Sequence, residues 1–145
     1  MYEASTVVVD ASVAAKWYLP ERHHRDARRL RDHYLDGVID LTAPSVFPYE
    51  VLNALRYSGQ FDEDELTEAA ETLPGYGIEL VPFHGLADLV ATAFGIENTI
   101  YDAAYVALAV THDTAVYTAD GKLVDGLRGT EYEGRARDIR TVPSG

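Results

Sequence analysis

The chain has 145 residues, no cysteine, and a formal net charge of −12 from 24 acids against 12 lysines and arginines. That length suits a single domain, 1–145, able to bury about two-thirds of its unfolded surface. The missing cysteines exclude disulfides and thiolate metal sites, and the longest apolar run, Ala103 to Val110, is far short of the roughly 20 residues a membrane span needs.

Met1-Tyr2-Glu3-Ala4 carries no basic segment leading into an apolar one, so the start shows no signal-peptide pattern and a cytoplasmic location is expected. Thr6-Val7-Val8-Val9 reads as a strand buried on both faces, the mark of a parallel sheet, and it ends on Asp10. Ser12 to Trp17 suits a short helix with Ser12 as its N-cap. Leu19-Pro20 breaks it, and Glu21 to Leu35 reads as a longer helix burying Ala27, Leu30 and Tyr34. Gly37 ends that helix, and Val38 to Thr42 is a second strand.

A helix over Val46 to Tyr57 follows, with Pro48 tolerated in its first turn. Glu50, Asn53 and Ala54 share one of its faces. Asp62-Glu63-Asp64-Glu65 opens the next helix, placing acids at its positive end, and Pro74-Gly75 stops it. Ile78 to Val81 is a third strand, and Leu86 to Phe94 a helix closed by Gly95. Thr99 and Asp102 have capping-box spacing before the apolar helix Ala103 to Val110. Ala115 to Thr118 is a fourth strand, Lys122 to Leu127 a short helix, and Arg137 to Val142 a fifth, edge strand. Strands alternating with helices define an α/β fold: a central, mostly parallel sheet of four to five strands flanked by helices.

In a right-handed layout the helices run antiparallel to the strands, so each helix that follows a strand starts at the sheet's C-terminal edge. Asp10 ends the first strand and Asp120 follows the fourth. Glu50 lies in the first turns of the helix after the second strand, and Asp102 in the first turn of the helix leading down to the fourth. All four acids are therefore expected on one edge. They converge if strands one and four are neighbours at the switch point. Carboxylates without histidine or cysteine favour Mg²⁺ or Mn²⁺ over Zn²⁺, and such a site suits phosphodiester hydrolysis by a metal-activated water. Each acid also has a plainer reading: Asp102 as the capping-box partner of Thr99, Asp120 as a turn or N-cap residue before Gly121, Glu50 as a solvated helix acid.

With these pieces in order, the sequence resembles PIN-domain ribonucleases, specifically the VapC-type toxins of toxin–antitoxin pairs. The resemblance rests on Val8-Val9-Asp10-Ala11-Ser12 with Lys16-Trp17, Pro44-Ser45, and Tyr49-Glu50-Val51-Leu52-Asn53-Ala54-Leu55. It continues through Tyr101-Asp102-Ala103-Ala104-Tyr105-Val106-Ala107-Leu108-Ala109 and Val116-Tyr117-Thr118-Ala119-Asp120. It implies a PIN-like fold and a Mg²⁺- or Mn²⁺-dependent endoribonuclease leaving a 5′-phosphate and a 3′-hydroxyl. Asp10, Glu50, Asp102 and Asp120 fall at the family's acidic positions, as catalytic and metal-holding residues. Ser12, Asn53 and Thr118 fall at its supporting polar positions. It further implies a homodimer and a small VapB-type antitoxin that covers the site through an inserted arginine.

Lys16, Arg22, Arg25 and Arg29 are candidates for holding an RNA backbone, against a plain solvated helix balancing the acidic remainder. Trp17 and Tyr18 can stack on a base, but packing suits them better; Tyr101 and Tyr105 read as helix braces. The charge of −12 opposes indiscriminate nucleic-acid binding, an objection weakened by screening in high salt and by bound divalent cations. With only two lysines, Lys16 and Lys122, the acid-rich composition fits a protein working in high salt; an ordinary acidic protein is the alternative. Competing readings on the same residues are a PIN-fold nuclease of RNA maturation or DNA processing, and a non-catalytic module whose acids hold a cation. A receiver-type phosphoacceptor fits poorly, because Lys122 falls after Asp120 and not near a later strand end.

Overall fold

The computed structural model describes residues 5–83 and 85–144, so Met1 to Ala4, on which the signal-peptide reading rests, lie outside it. At its centre is β1 (Ser5–Val9), with Val8 and Val9 fully buried. β2 (Ile39–Pro44) pairs with it on one side and β4 (Val116–Thr118) on the other, both parallel. β3 (Glu79–Val81) and β5 (Ala136–Asp138) extend the sheet to the order β3-β2-β1-β4-β5, again in parallel. The register sets Val7 beside Leu41 and Val9 beside Tyr117. The three valines are apolar in succession because both faces of a parallel sheet are covered by helices. The chain leaves β1 toward β2 and returns on its far side as β4, which makes the β1–β4 boundary the switch point where such sheets open a crevice.

The helices are α1 (Ala11–Ala15), α2 (His24–Leu35), α3 (Phe47–Tyr57), α4 (Glu63–Thr72), α5 (Leu86–Ile96), α6 (Ile100–Thr111) and α7 (Gly121–Gly126). On α3 the i, i+4, i+8 stripe Phe47, Val51 and Leu55 is at most 2 % exposed; each such side chain contributes about 1.5–3 kcal/mol by leaving water. That stripe fixes the helix rotation and leaves Glu50, one residue off it, half-buried at the rim. α6 turns Ala103, Tyr105, Val106 and Ala109 into the core. Trp17 is 5 % exposed, donates its indole N–H to the Ala27 carbonyl at 2.9 Å and packs on Tyr76, so it is a core residue. Among the described residues no helix is long and apolar enough to cross a membrane.

Four local expectations need correction. Ser12 is not an N-cap: α1 begins one residue earlier, and Asp10 occupies the cap position without a side-chain cap bond. α2 starts at His24 rather than Glu21, because His23 takes a left-handed backbone (φ 65°) that interrupts the helix. Gly95 does not close α5. The helix continues to Ile96 and ends at left-handed Glu97, and Gly95 serves close packing instead: a Cβ there would stand 3.2 Å from the Tyr132 ring. β5 covers only Ala136–Asp138, and Ile139–Thr141 is a 3₁₀ turn. There the Asp138 carboxylate accepts from the Arg140 N–H at 2.9 Å, a local bond that outcompetes strand pairing.

Candidate active site

Asp10 follows the last residue of β1, and its N–H donates to the Tyr117 carbonyl of β4 at 3.0 Å. That bond joins the two strands at the mouth of the crevice. Asp10 is 8 % exposed, one of few buried polar residues. Its Oδ2 accepts from the Ser12 hydroxyl at 2.7 Å and from the Thr118 hydroxyl at 2.8 Å. Burial pushes its pKa up, the Ser12, Thr118 and Ala11 hydrogen bonds hold it down, and the Asp120 charge adds to the rise. Buried carboxylates demand such partners, since an unmatched one costs several kcal/mol. The Ser12 hydroxyl in turn accepts from the Ala119 N–H at 3.0 Å, and the Thr118 hydroxyl from the Asp120 N–H at 3.0 Å. One hydrogen-bonded set therefore ties the ends of β1 and β4 together and fixes the backbone that carries Asp120.

Asp102 is in the first turn of α6. Thr99 caps that helix by accepting from the Asp102 N–H at 3.0 Å. The Thr99 N–H, however, goes to the Asn98 side chain at 2.8 Å, so Asp102 does not close a capping box. Its carboxyl pKa is raised from 3.8 to about 6 by burial and by the charges of Asp10 and Asp120. Glu50, in the first turn of α3, accepts from the Tyr105 hydroxyl at 2.8 Å. Its pKa is raised by burial, against the Tyr105 bond, with Asp10 and Asp102 adding their charges. Burial and the charges of Asp10 and Glu50 raise the Tyr105 phenol far above its ordinary range, so it remains a donor. Asp120 is the N-cap of α7, accepting from the Lys122 N–H at 2.9 Å through Oδ1; one oxygen does structural work and the other does not.

The acids at the strand ends are thus linked through their fields: Asp10 feels Asp120, Asp102 feels Asp10 and Asp120, and Glu50 feels Asp10 and Asp102. They do not form a closed cage: among the described residues no three histidine, aspartate or glutamate side chains are grouped tightly enough to hold one ion. The donor set still fits a hard cation, being all carboxylate and hydroxyl oxygen. Burial is the larger cause of the raised Asp102, Glu50 and Asp10, and a divalent ion there would offset the repulsion that adds to it.

The other sequence candidates divide. Ser12 and Thr118 join the Asp10 network. Asn53 is exposed one turn beyond Glu50 and takes no part in it. Lys16 is held by Glu21 at 3.3 Å and Arg29 by Asp26 at 3.2 Å; Arg25 is exposed on α2. Two residues escaped the sequence reading. Tyr105 reads in the sequence only as a brace, although its position three residues after Asp102 gives it a polar end toward the crevice. Arg140 lies far along the chain and is brought beside Lys16 and Arg22 only by the turn after β5.

An all-parallel sheet with acids at the ends of β1 and β4, and at the starts of the helices beside them, is the arrangement of PIN domains. The PIN domain family model matches residues 7–125. The chain belongs to the PIN domain family. It is 33 % identical over 127 residues to Ribonuclease VapC3 of Pyrobaculum aerophilum, covering 82 % of this chain and 92 % of that one, so the VapC-type resemblance read from the motifs is borne out. Among solved structures, PAE2754 from Pyrobaculum aerophilum superposes with a TM-score of 0.67 at 21 % identity, over 96 % of this chain and 86 % of that one. FitAcB from Neisseria gonorrhoeae superposes with a TM-score of 0.63 at 17 % identity, over 94 % and 99 %. These two likenesses are of fold.

Proposed function

We propose that the chain is a divalent-metal-dependent endoribonuclease, the toxin of a VapBC-type toxin–antitoxin pair, acting as one cytoplasmic domain. The observation that carries this reading is the electrostatic coupling of Asp10, Glu50, Asp102 and Asp120 at the β1–β4 switch point, in a chain one-third identical to a VapC ribonuclease. Asp10, Asp102 and Asp120 would hold Mg²⁺ or Mn²⁺, with Glu50 beside them. When bound, the ion supplies an activated water and charge stabilisation for in-line attack on a phosphodiester.

The chain's own groups set up that chemistry. Ser12 and Thr118 donate to one oxygen of Asp10, which holds the carboxylate in one orientation. Glu50 and Asp102 both have proton affinity above the ordinary and partial access to solvent, and Glu50, beside the metal-holding acids, is the one proposed to receive a proton from water. The Tyr105 hydroxyl, fixed on one Glu50 oxygen, keeps the second free for that transfer. An acidic pocket of this kind also receives an arginine well, which supports closure by an antitoxin.

A homodimer belongs to the same reading. Leu86, Val90 and Phe94 form an i, i+4, i+8 stripe on α5 and are 67 %, 46 % and 80 % exposed, with Ile100 and Tyr101 continuing it. A second copy is the occupant proposed for that face.

The test is cleavage of a mixed RNA pool by the purified chain with Mn²⁺, with EDTA, and with the Asp102→Asn variant. Cleavage that needs both metal and Asp102 supports the nuclease. Metal binding without cleavage under any condition favours a cation-holding module.

A further inference from the structure

Beside the carboxylate crevice lies a cavity of about 300 Å³ lined by Lys16, Arg22, His23, Asp138 and Arg140, with Ala119 and Gly121, the two chain neighbours of Asp120, forming its inner wall. In a chain of net charge −12 this hollow gathers three fixed cations against one carboxylate. The carboxylate is already matched. Arg140 donates to Asp138 through Nε at 3.0 Å and through Nη2 at 2.8 Å, the bidentate geometry that fixes a guanidinium in place. Lys16 is only 13 % exposed along its side chain and reaches Glu21 at 3.3 Å, where Glu21 is 42 % exposed. The Glu21 end of that pair is solvated, so it can give way to a better anion. Arg22 is exposed and has no ion pair among the described residues.

We propose that this cavity is a phosphate subsite, holding an RNA phosphate next to the one cleaved, through Arg22 and Lys16 with Arg140 as the positioned wall. The inference rests on the nuclease reading of the carboxylate crevice and adds to it where the chain grips its substrate. The wall is shared: a strand whose scissile phosphate sits over Asp120 runs across Ala119 and Gly121 into the cavity. An acidic protein gains from such a place, because its net charge of −12 opposes the backbone. Arg25 and Arg29 are not part of it. They line an adjoining hollow that meets the cavity at Arg22 and His23 but does not reach Ala119 or Gly121, the neighbours of Asp120.

The experiment follows binding of a fluorescein-labelled single-stranded RNA decamer by anisotropy, across a KCl series with Mg²⁺. Every chain carries Asp102→Asn so that binding is read without cleavage. Arg22→Ala and Arg140→Ala are each expected to weaken binding three- to tenfold and to lower the salt slope by about one. Arg22→Lys is expected to recover most of the loss, and Arg25→Ala to change neither quantity. Thermal melts of each variant guard against a folding defect, since both arginines are exposed. RNA binding that ignores Arg22 and Arg140, or that falls equally with Arg25→Ala, overturns the subsite while leaving the nuclease standing. A chain that neither binds this RNA nor, with Asp102 restored, cleaves the RNA pool overturns both.

Discussion

Asp102→Asn should make the metal-free protein more stable while it abolishes cleavage. The Asp102 carboxyl is raised from 3.8 to about 6 by burial and by Asp10 and Asp120. At 1.36 kcal/mol for each tenfold in proton affinity the shift is worth about 3 kcal/mol as an upper bound, and solvent screening of this half-buried carboxyl brings the cost of holding it ionised to about 2–3 kcal/mol. Replacing it with a neutral isostere removes that cost and relieves Glu50, which also feels Asp102. One term opposes the gain: an acid in the first turn of a helix favours that helix by about 0.3–1 kcal/mol. The cap itself survives, because Thr99 accepts from the backbone N–H of residue 102 and not from its side chain. The net is about 2 kcal/mol, or on the order of 5 °C for a chain of this size.

The sign carries a pH signature. The folded pKa lies above the unfolded one, so the wild type loses stability as pH climbs from about 4 to about 6, and the variant lacks that loss. Thermal melts in EDTA should therefore coincide near pH 4 and separate fully above about pH 7. Added Mg²⁺ should then reverse the order, stabilising the wild type by about 3 kcal/mol at a hundredfold excess over its Kd and leaving the variant nearly unmoved. A variant less stable than wild type at pH 8 in EDTA would refute the reasoning, since it would mean that these carboxylates do not oppose one another.

Other substitutions probe the supports. Thr118→Val keeps shape at a fully buried position but removes a donor from Asp10 and an acceptor from the Asp120 N–H; a loss of about 1–3 kcal/mol in urea unfolding and a fall in cleavage are expected, whereas unchanged values would make the network incidental. Tyr105→Phe should cost about 1 kcal/mol and lower kcat with little change in KM, read by initial rates on a defined RNA. Phe94→Glu should convert a dimer to a monomer in sedimentation at unchanged secondary structure by circular dichroism. The melting midpoint should rise between low and molar KCl as the −12 charge is screened; a flat response would sink the high-salt reading.

Much of this was legible in the amino-acid sequence, for identifiable reasons. Val7-Val8-Val9 ending on Asp10 announced a strand buried on both faces, and burial on both faces means a parallel sheet. Spacing puts Glu50, Asn53 and Ala54 on one face of α3, but it is the burial of Phe47, Val51 and Leu55 that decides which side faces inward and where Glu50 stands. Local signals failed where a tertiary contact or a competing short-range bond decided the outcome. Gly95 reads as a helix stop, but Tyr132, thirty-seven residues on, is what it makes room for. Ser12 reads as a cap, but its hydroxyl is claimed by Asp10 and the Ala119 N–H across the sheet. The residue types around Asp10 determined a site of hard oxygen donors. Only the tertiary structure decided that Thr118 and Ser12 hold it, that Tyr105 holds Glu50, that Asn53 stands apart, and that Arg140 arrives beside Lys16 and Arg22. The division is physical: burial period and donor chemistry are properties of short stretches, whereas hydrogen-bond partners and charge coupling depend on groups far apart in the chain, from 55 residues for Tyr105 and Glu50 to 108 for Asp10 and Thr118, meeting where β1 and β4 end side by side.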